Sequence, residues 1–172
     1  MRTNGLVKEL AASVPAAYAA VRAMDKSTKW FLDRQSEEAT EREREVQPEF
    51  TTAVVARKAA SMLDVELERD QAKELGKWLH RLVGVSGGPL AVWLMRRGKH
   101  PLTAGLATGL GLWVLLDEAL NPIMGFSKPA PEYPIESHAR GFVGHAVYGA
   151  ALGGLLALAR LVPPRSGKVA AS

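Results

Sequence analysis

The sequence has no cysteine, which excludes disulfides, thiolate metal sites, iron–sulfur clusters and cysteine nucleophiles together. No long run of Lys or Arg is present to track a phosphate backbone. The net charge of +4 and the isoelectric point near 9.5 therefore do not point to nucleic acid. There is no strand-like alternation, no hairpin turn and no internal repeat. G-x-G-x-x-G, a Walker loop and H-E-x-x-H are all missing. Gly84-Val85-Ser86-Gly87-Gly88 places a serine among glycines, but without the G-x-S-x-G spacing or the strand–turn–helix setting of a nucleophile elbow. No catalytic residue and no cofactor are expected, and the protein reads as non-enzymatic.

What is present is segregation. The 172 residues suit one domain, 47% are hydrophobic and 23% charged, and mean hydropathy is near zero, so disorder throughout the chain is excluded. The average conceals two populations. Residues 33–74 hold twelve acids against seven bases, a net −5, so the remainder carries +9. Gly141 to Ala159 runs nineteen residues with His145 as its sole ionisable side chain, close to the roughly 20 apolar residues needed to cross a bilayer. Pro101 to Leu116 is uncharged until Asp117 and Glu118. Leu75 to Met95 carries the apolar run LVGVSGGPLAVWLM behind Lys77, His80 and Arg81, with Trp78 and Trp93 near its ends, where interfacial aromatics belong. Gly84, Gly87, Gly88 and Pro89 predict a kink in this helix.

The weakest apolar stretch is Leu10 to Val21, twelve uncharged residues including Pro15. It reads either as a poor first span or as an interfacial amphipathic helix. Glu9 and Pro15 interrupt any secretory h-region, so the N-terminal segment is expected to be retained. Residues 37–73 read as helix broken at Gln47-Pro48, with the second piece over Thr51 to Leu63.

The fold class expected is all-α: a small polytopic transmembrane bundle of three or four spans with an acidic, helical extramembrane segment. Its divisions are a weak first span or interfacial helix at 1–32, the acidic segment at 33–74, a three-helix membrane core at 75–162 and a basic tail at 163–172. The basic cluster Arg96-Arg97-Gly98-Lys99-His100 and the tail with Arg160, Arg165 and Lys168 both belong in the cytoplasm under the positive-inside rule. Four spans with both termini inside satisfy every loop.

That topology brings polar groups to one depth. Asp117, Glu118 and Asn121 close the third span at its outer end, and His138 and Arg140 open the fourth there. His145 lies seven residues, about 10 Å, deeper than His138 and within about 20° of it around the helix. Asp25, Lys77, His80 and Arg81 fall at the same outer level. Gly105-x-x-x-Gly109 and Gly149-x-x-x-Gly153 are small-residue motifs that permit close helix approach, within the chain or between two copies.

Asp117-Glu118-x-x-Asn121-Pro122, with Tyr133-Pro134-x-x-x-His138-Ala139-Arg140-Gly141-x-x-x-His145-x-x-Tyr148-Gly149, resembles the YagU-like group of uncharacterised bacterial inner-membrane proteins. Met24-Asp25-x-x-Thr28-x-Trp30 is a looser match to the same group. The resemblance is specific over 117–149 and implies a helical protein of the bacterial inner membrane with no assigned activity. Lys26, Ser27 and Lys29 make the first segment more polar than a span of that group.

Three roles remain for the polar cluster. Ion pairs of Asp117 or Glu118 with Arg140 would tie two helix ends together. A carboxylate and His145 could instead exchange protons, making a proton or ion relay of Asp117, Glu118, His138 and His145. Two histidines and two acids also suit Zn or Mn, but a spacing of seven does not chelate from one helix, so no metal is expected. The lipid bilayer is the expected partner, with other membrane proteins or a second copy as further ones. A soluble helical bundle that buries its Gly/Ala-rich helices in a partner is the alternative from a different class.

Overall fold

A computed structural model of the chain describes residues 3–161, which are all-helical with no strand among them. The elements are α1 (Thr3–Leu32), α2 (Glu37–Val46), α3 (Thr51–Ser61), α4 (Arg69–Arg96), α5 (Pro101–Ile123), a 3-10 turn (Ala130–Glu132) and α6 (Ile135–Leu161). The basic tail at 163–172 lies outside the described residues. Two helices, Pro101–Ile123 and Ile135–Ala159, are long and apolar enough to cross a membrane.

Helix ends follow local chemistry. Ser36 caps α2 by accepting the Ala39 N–H at 3.2 Å. Glu68 and Gln71 form a reciprocal capping box at the start of α4. His100 caps α5 through its ring, and Pro101 takes the first helical position, where its missing N–H costs nothing. Three Schellman turns stop helices, each around a residue of positive φ: Asp64 (57°), Gly98 (88°) and Gly125 (65°). At Gly98, Lys99 N–H reaches Leu94 O at 3.2 Å and Gly98 N–H reaches Met95 O at 3.1 Å.

Four long helices make the bundle. α6 lies along both α5 and α1, α1 also packs on α4, and α4 meets α5. α1, at 30 residues, packs against both α4 and α6. Its inward face is Ser13, Ala16, Ala17, Ala20 and Val21. The rest of the core is Ala91, Val92, Met95, Ala104, Tyr148, Leu152 and Leu156. With so much alanine and glycine at the contacts, backbones approach closely and dispersion replaces bulky side chains.

α4 is one helix from Arg69 to Arg96, with Pro89 inside it. Its glycines are close-approach positions. A Cβ on Gly88 would sit 2.7 Å from the Ser13 carbonyl oxygen of α1, and one on Gly87 would strike the Tyr148 hydroxyl. Tyr148 donates that hydroxyl to the Gly84 carbonyl at 2.5 Å, joining α6 to α4. α3 rests on the first turns of α4, where a Cβ on Gly76 would lie 2.7 Å from the Ala53 nitrogen. The acidic segment is therefore folded against the bundle, with α2 and α3 forming a cap.

Candidate functional site

The site is built where α5 changes geometry. After Leu112 the helix widens into a π segment, Trp113–Leu120, before returning to α over Asn121–Ile123. The Asn121 N–H bonds to Leu116 O, five residues back. Such segments are rare and frequently mark functional positions. Asp117 and Glu118 lie within it.

Opposite stands one stripe of α6. His138, Gly141, His145, Gly149 and Gly153 recur at three- and four-residue steps and share a face. His138 Nδ1 lies 2.9 Å from Glu118 Oε1, and His145 Nδ1 lies 3.8 Å from Asp117 Oδ2 and 3.1 Å from Gly141 O. Trp113 fits over Gly141 and meets Phe142 edge to face. Farther along, the four packing glycines meet: a Cβ on Gly105 would be 2.7 Å from Gly153 Cα, and one on Gly109 3.0 Å from Gly149 Cα. The contact between these motifs is within the chain.

The second nitrogen of His138, Nε2, faces the Ala130 carbonyl oxygen at 3.0 Å. A carbonyl only accepts, so Nε2 carries a hydrogen, and the His138–Glu118 contact holds one proton between its two groups. On the other side of the site His80 of α4 lies 3.3 Å from Asp25 of α1. Asn121 lines the same space, and its carbonyl accepts the Phe126 N–H at 2.8 Å.

Arg140 does not pair with Asp117 or Glu118. It donates to Gln35 at 2.6 Å and makes a two-pronged contact with Glu43 of α2, one arm at 2.9 Å. The reason is angular: Arg140 is two residues, about 200°, from His138 and cannot share the stripe that faces α5. It belongs to the stripe of Gly144, which packs on Met24 and Thr28 of α1. The chain leaving α1 passes Arg140 on its way into α2. Burial raises the Glu43 carboxyl, but the hydrogen bonds and charge of Arg140 outweigh it and hold the group below its ordinary value.

Further bonds hold the cap. Gln47 accepts the Tyr133 hydroxyl at 3.2 Å, and Lys58 donates to the Gly125 carbonyl at 2.7 Å. Beneath it lies a cleft of about 970 Å³ whose lining includes Asp25, His80, Asp117, Glu118, His138 and His145. Among the described residues no three His, Asp or Glu side chains converge to hold a metal ion. The arrangement can bind polar solutes or pass protons between carboxylates and imidazoles.

Comparison with family models, with curated proteins and with solved structures returns no match. The site's chemistry thus rests on its geometry.

Sequence reasoning missed Gln35, Glu43, Gln47 and Lys58, the residues that close the cap. Glu43 is one of twelve acids in its segment, and no local signal separates it from its neighbours. Tyr133 was visible only through the Tyr133-Pro134 pair of the resemblance.

Proposed function

We propose that the protein is an integral component of the bacterial inner membrane, with α1, α4, α5 and α6 as four spans and both termini in the cytoplasm. It belongs, in this reading, with the YagU-like group. It acts as a structural or accessory membrane protein without enzymatic activity, and its polar cleft and cap sit at the outer face. The observation that carries this is where the apolar surface points. Only 22% of the apolar window in Pro101–Ile123 and 39% of that in Ile135–Ala159 is buried inside the bundle. A core helix of a soluble bundle would be mostly buried, whereas here Leu102, Val114, Leu115, Phe142 and Leu158 face outward. Leu82, Leu90 and Trp93 extend the apolar surface over α4.

The protein is expected to stay with membranes through carbonate washing, and quantitative release would return it to the soluble-bundle alternative. With no native cysteine, single cysteines report sidedness directly. An impermeant maleimide on intact cells should label Glu38→Cys and Lys128→Cys and spare Lys99→Cys. The opposite pattern inverts the topology.

A second reading is favoured by one specific observation, the cleft lined by both acid–histidine pairs. In this reading the cleft handles protons or a small ion, and His145 is its innermost titratable group. His145→Gln keeps a hydrogen-bonding side chain but carries no titrating proton. Normal accumulation with at least a tenfold loss of pH-driven flux in reconstituted vesicles is the outcome expected of a relay. Unchanged flux leaves the structural role alone.

A further inference from the structure

The end of the bundle opposite the cap carries a second concavity. Leu6 and Leu10 of α1 and Pro89, Val92 and Trp93 of α4 line a groove of about 400 Å³, with Arg96 and Arg97 at its mouth. The floor is apolar and the rim is cationic. Pro89 to Arg96 is seven residues of helix, so the groove descends about 10 Å from the rim along the helix axis. That depth accommodates the upper part of an acyl chain.

The rim is held in place by the chain itself. The Schellman turn at Gly98 and the His100 cap of α5 fix the loop that carries Arg97 and Lys99. The Arg97 guanidinium lies 4.9 Å from the Trp93 ring centroid, a cation–π contact between two residues of the groove lining. Arg96 is bonded to Glu9 at 3.0 Å, bridging α4 to α1. Among the described residues neither Arg97 nor Lys99 forms an ion pair, and both are exposed. Arg97, without an ion-pair partner among the described residues, therefore stands at an apolar slot bordered by an indole, and Lys99 follows two residues later in the same exposed turn.

We propose that this groove is a binding site for an anionic phospholipid, one acyl chain lying between α1 and α4 and the phosphate at Arg97, with Lys99 of the same turn adding positive charge. The proposal rests on the membrane reading above. Basic pockets between helix ends on the cytoplasmic side suit such headgroups, since the negative surface potential of that leaflet draws clustered bases to it. A neutral zwitterionic lipid fits the slot equally well but gains nothing from the two cations.

Trp93 supplies the probe. The full chain carrying Trp30→Phe, Trp78→Phe and Trp113→Phe is reconstituted in phosphatidylcholine vesicles containing phosphatidylglycerol or phosphatidylcholine brominated on its acyl chains. Bromine quenches an indole only at contact. The expected result is a preference of about tenfold for brominated phosphatidylglycerol, falling to near one in Arg97→Gln with Lys99→Gln, a pair that leaves the Arg96–Glu9 bond intact. Equal quenching by both lipids overturns the site, as does a preference that survives the double substitution. Loss of the preference on adding inorganic phosphate assigns the rim to a free anion and overturns the lipid. Trp93 shielded from both lipids in a cross-linkable pair of chains assigns the groove to a second copy, again overturning it. Failure to float with the vesicles refutes the membrane reading, whereas flotation with equal quenching refutes the lipid site alone.

Discussion

Gly149→Leu is expected to abolish accumulation of the folded protein. A Cβ at position 149 would lie 2.7 Å from the Gly105 carbonyl oxygen and 2.8 Å from Leu106 Cα, both of them backbone. Neither can swing aside, so α5 and α6 must separate along their whole contact. Overpacking of this kind typically costs about 1–3 kcal/mol, and against unyielding backbone it falls at the upper end, a large fraction of the roughly 5–15 kcal/mol that holds a domain folded. Gly154→Leu is the matched control, because nothing lies within 4 Å of a Cβ there. Membrane accumulation and the melting temperature in detergent should be lost or lowered by many degrees in the first and close to wild type in the second. Equal behaviour of the two variants would show that the glycine contact does not set the helix spacing.

The second large effect is expected at the cap. Arg140→Ala leaves Glu43 and Gln35 facing a gap at a site where the paired side chains are only 18% and 23% exposed. Removing one partner should cost about 2 kcal/mol, between the values for buried and for surface pairs. Glu43→Ala should cost a similar amount, and the double substitution should cost less than the sum of the two. Limited proteolysis in the linkers at 33–36 and 62–68 reads the opening, with faster cleavage in each single variant. Additive losses would mean that the pair is not coupled.

The same pair gives a pH dependence of fixed sign. Glu43 sits below its ordinary value of 4.5 in the folded chain. Its contribution is therefore complete above pH 4.5, falls as the pH drops below that value and is gone once the pH is under the lowered folded one. Cap protection should weaken in that window in the wild type. Glu43→Gln should lack the step.

Much of the fold was legible because helices announce themselves locally. The apolar runs at 101–116 and 141–159, the break at Gln47-Pro48 and the basic loop at 96–100 all correspond to element bodies or boundaries. Part of the stripe of α6 was legible too, since a spacing of seven puts His138 and His145 on one face, while the contacts of Gly149 and Gly153 with α5 show that they continue it. α1 was harder. Its inward face is Ser13, Ala16, Ala17 and Ala20, small residues with little hydropathy, and only contact with α4 and α6 reveals that they are core. The glycines of α4 read as weak points for the same reason, although their neighbours make them places of close approach.

Helicity, the segregation of charge by segment and the shared face of His138 and His145 are written in local sequence. Periodicity and composition act within a few residues of one another, so these properties need no partner. Which acid meets which base is set by packing between distant segments. Helix angle puts Glu118 with His138 and Asp117 near His145, and it turns Arg140 away from both toward Glu43, 97 residues distant in sequence. The choice among twelve acids of residues 33–74 depends on where α2 lands after the turn that follows α1, and on α3 seating against Gly76. Those are long-range packing outcomes, set by shape complementarity between segments whose own sequences carry no record of each other.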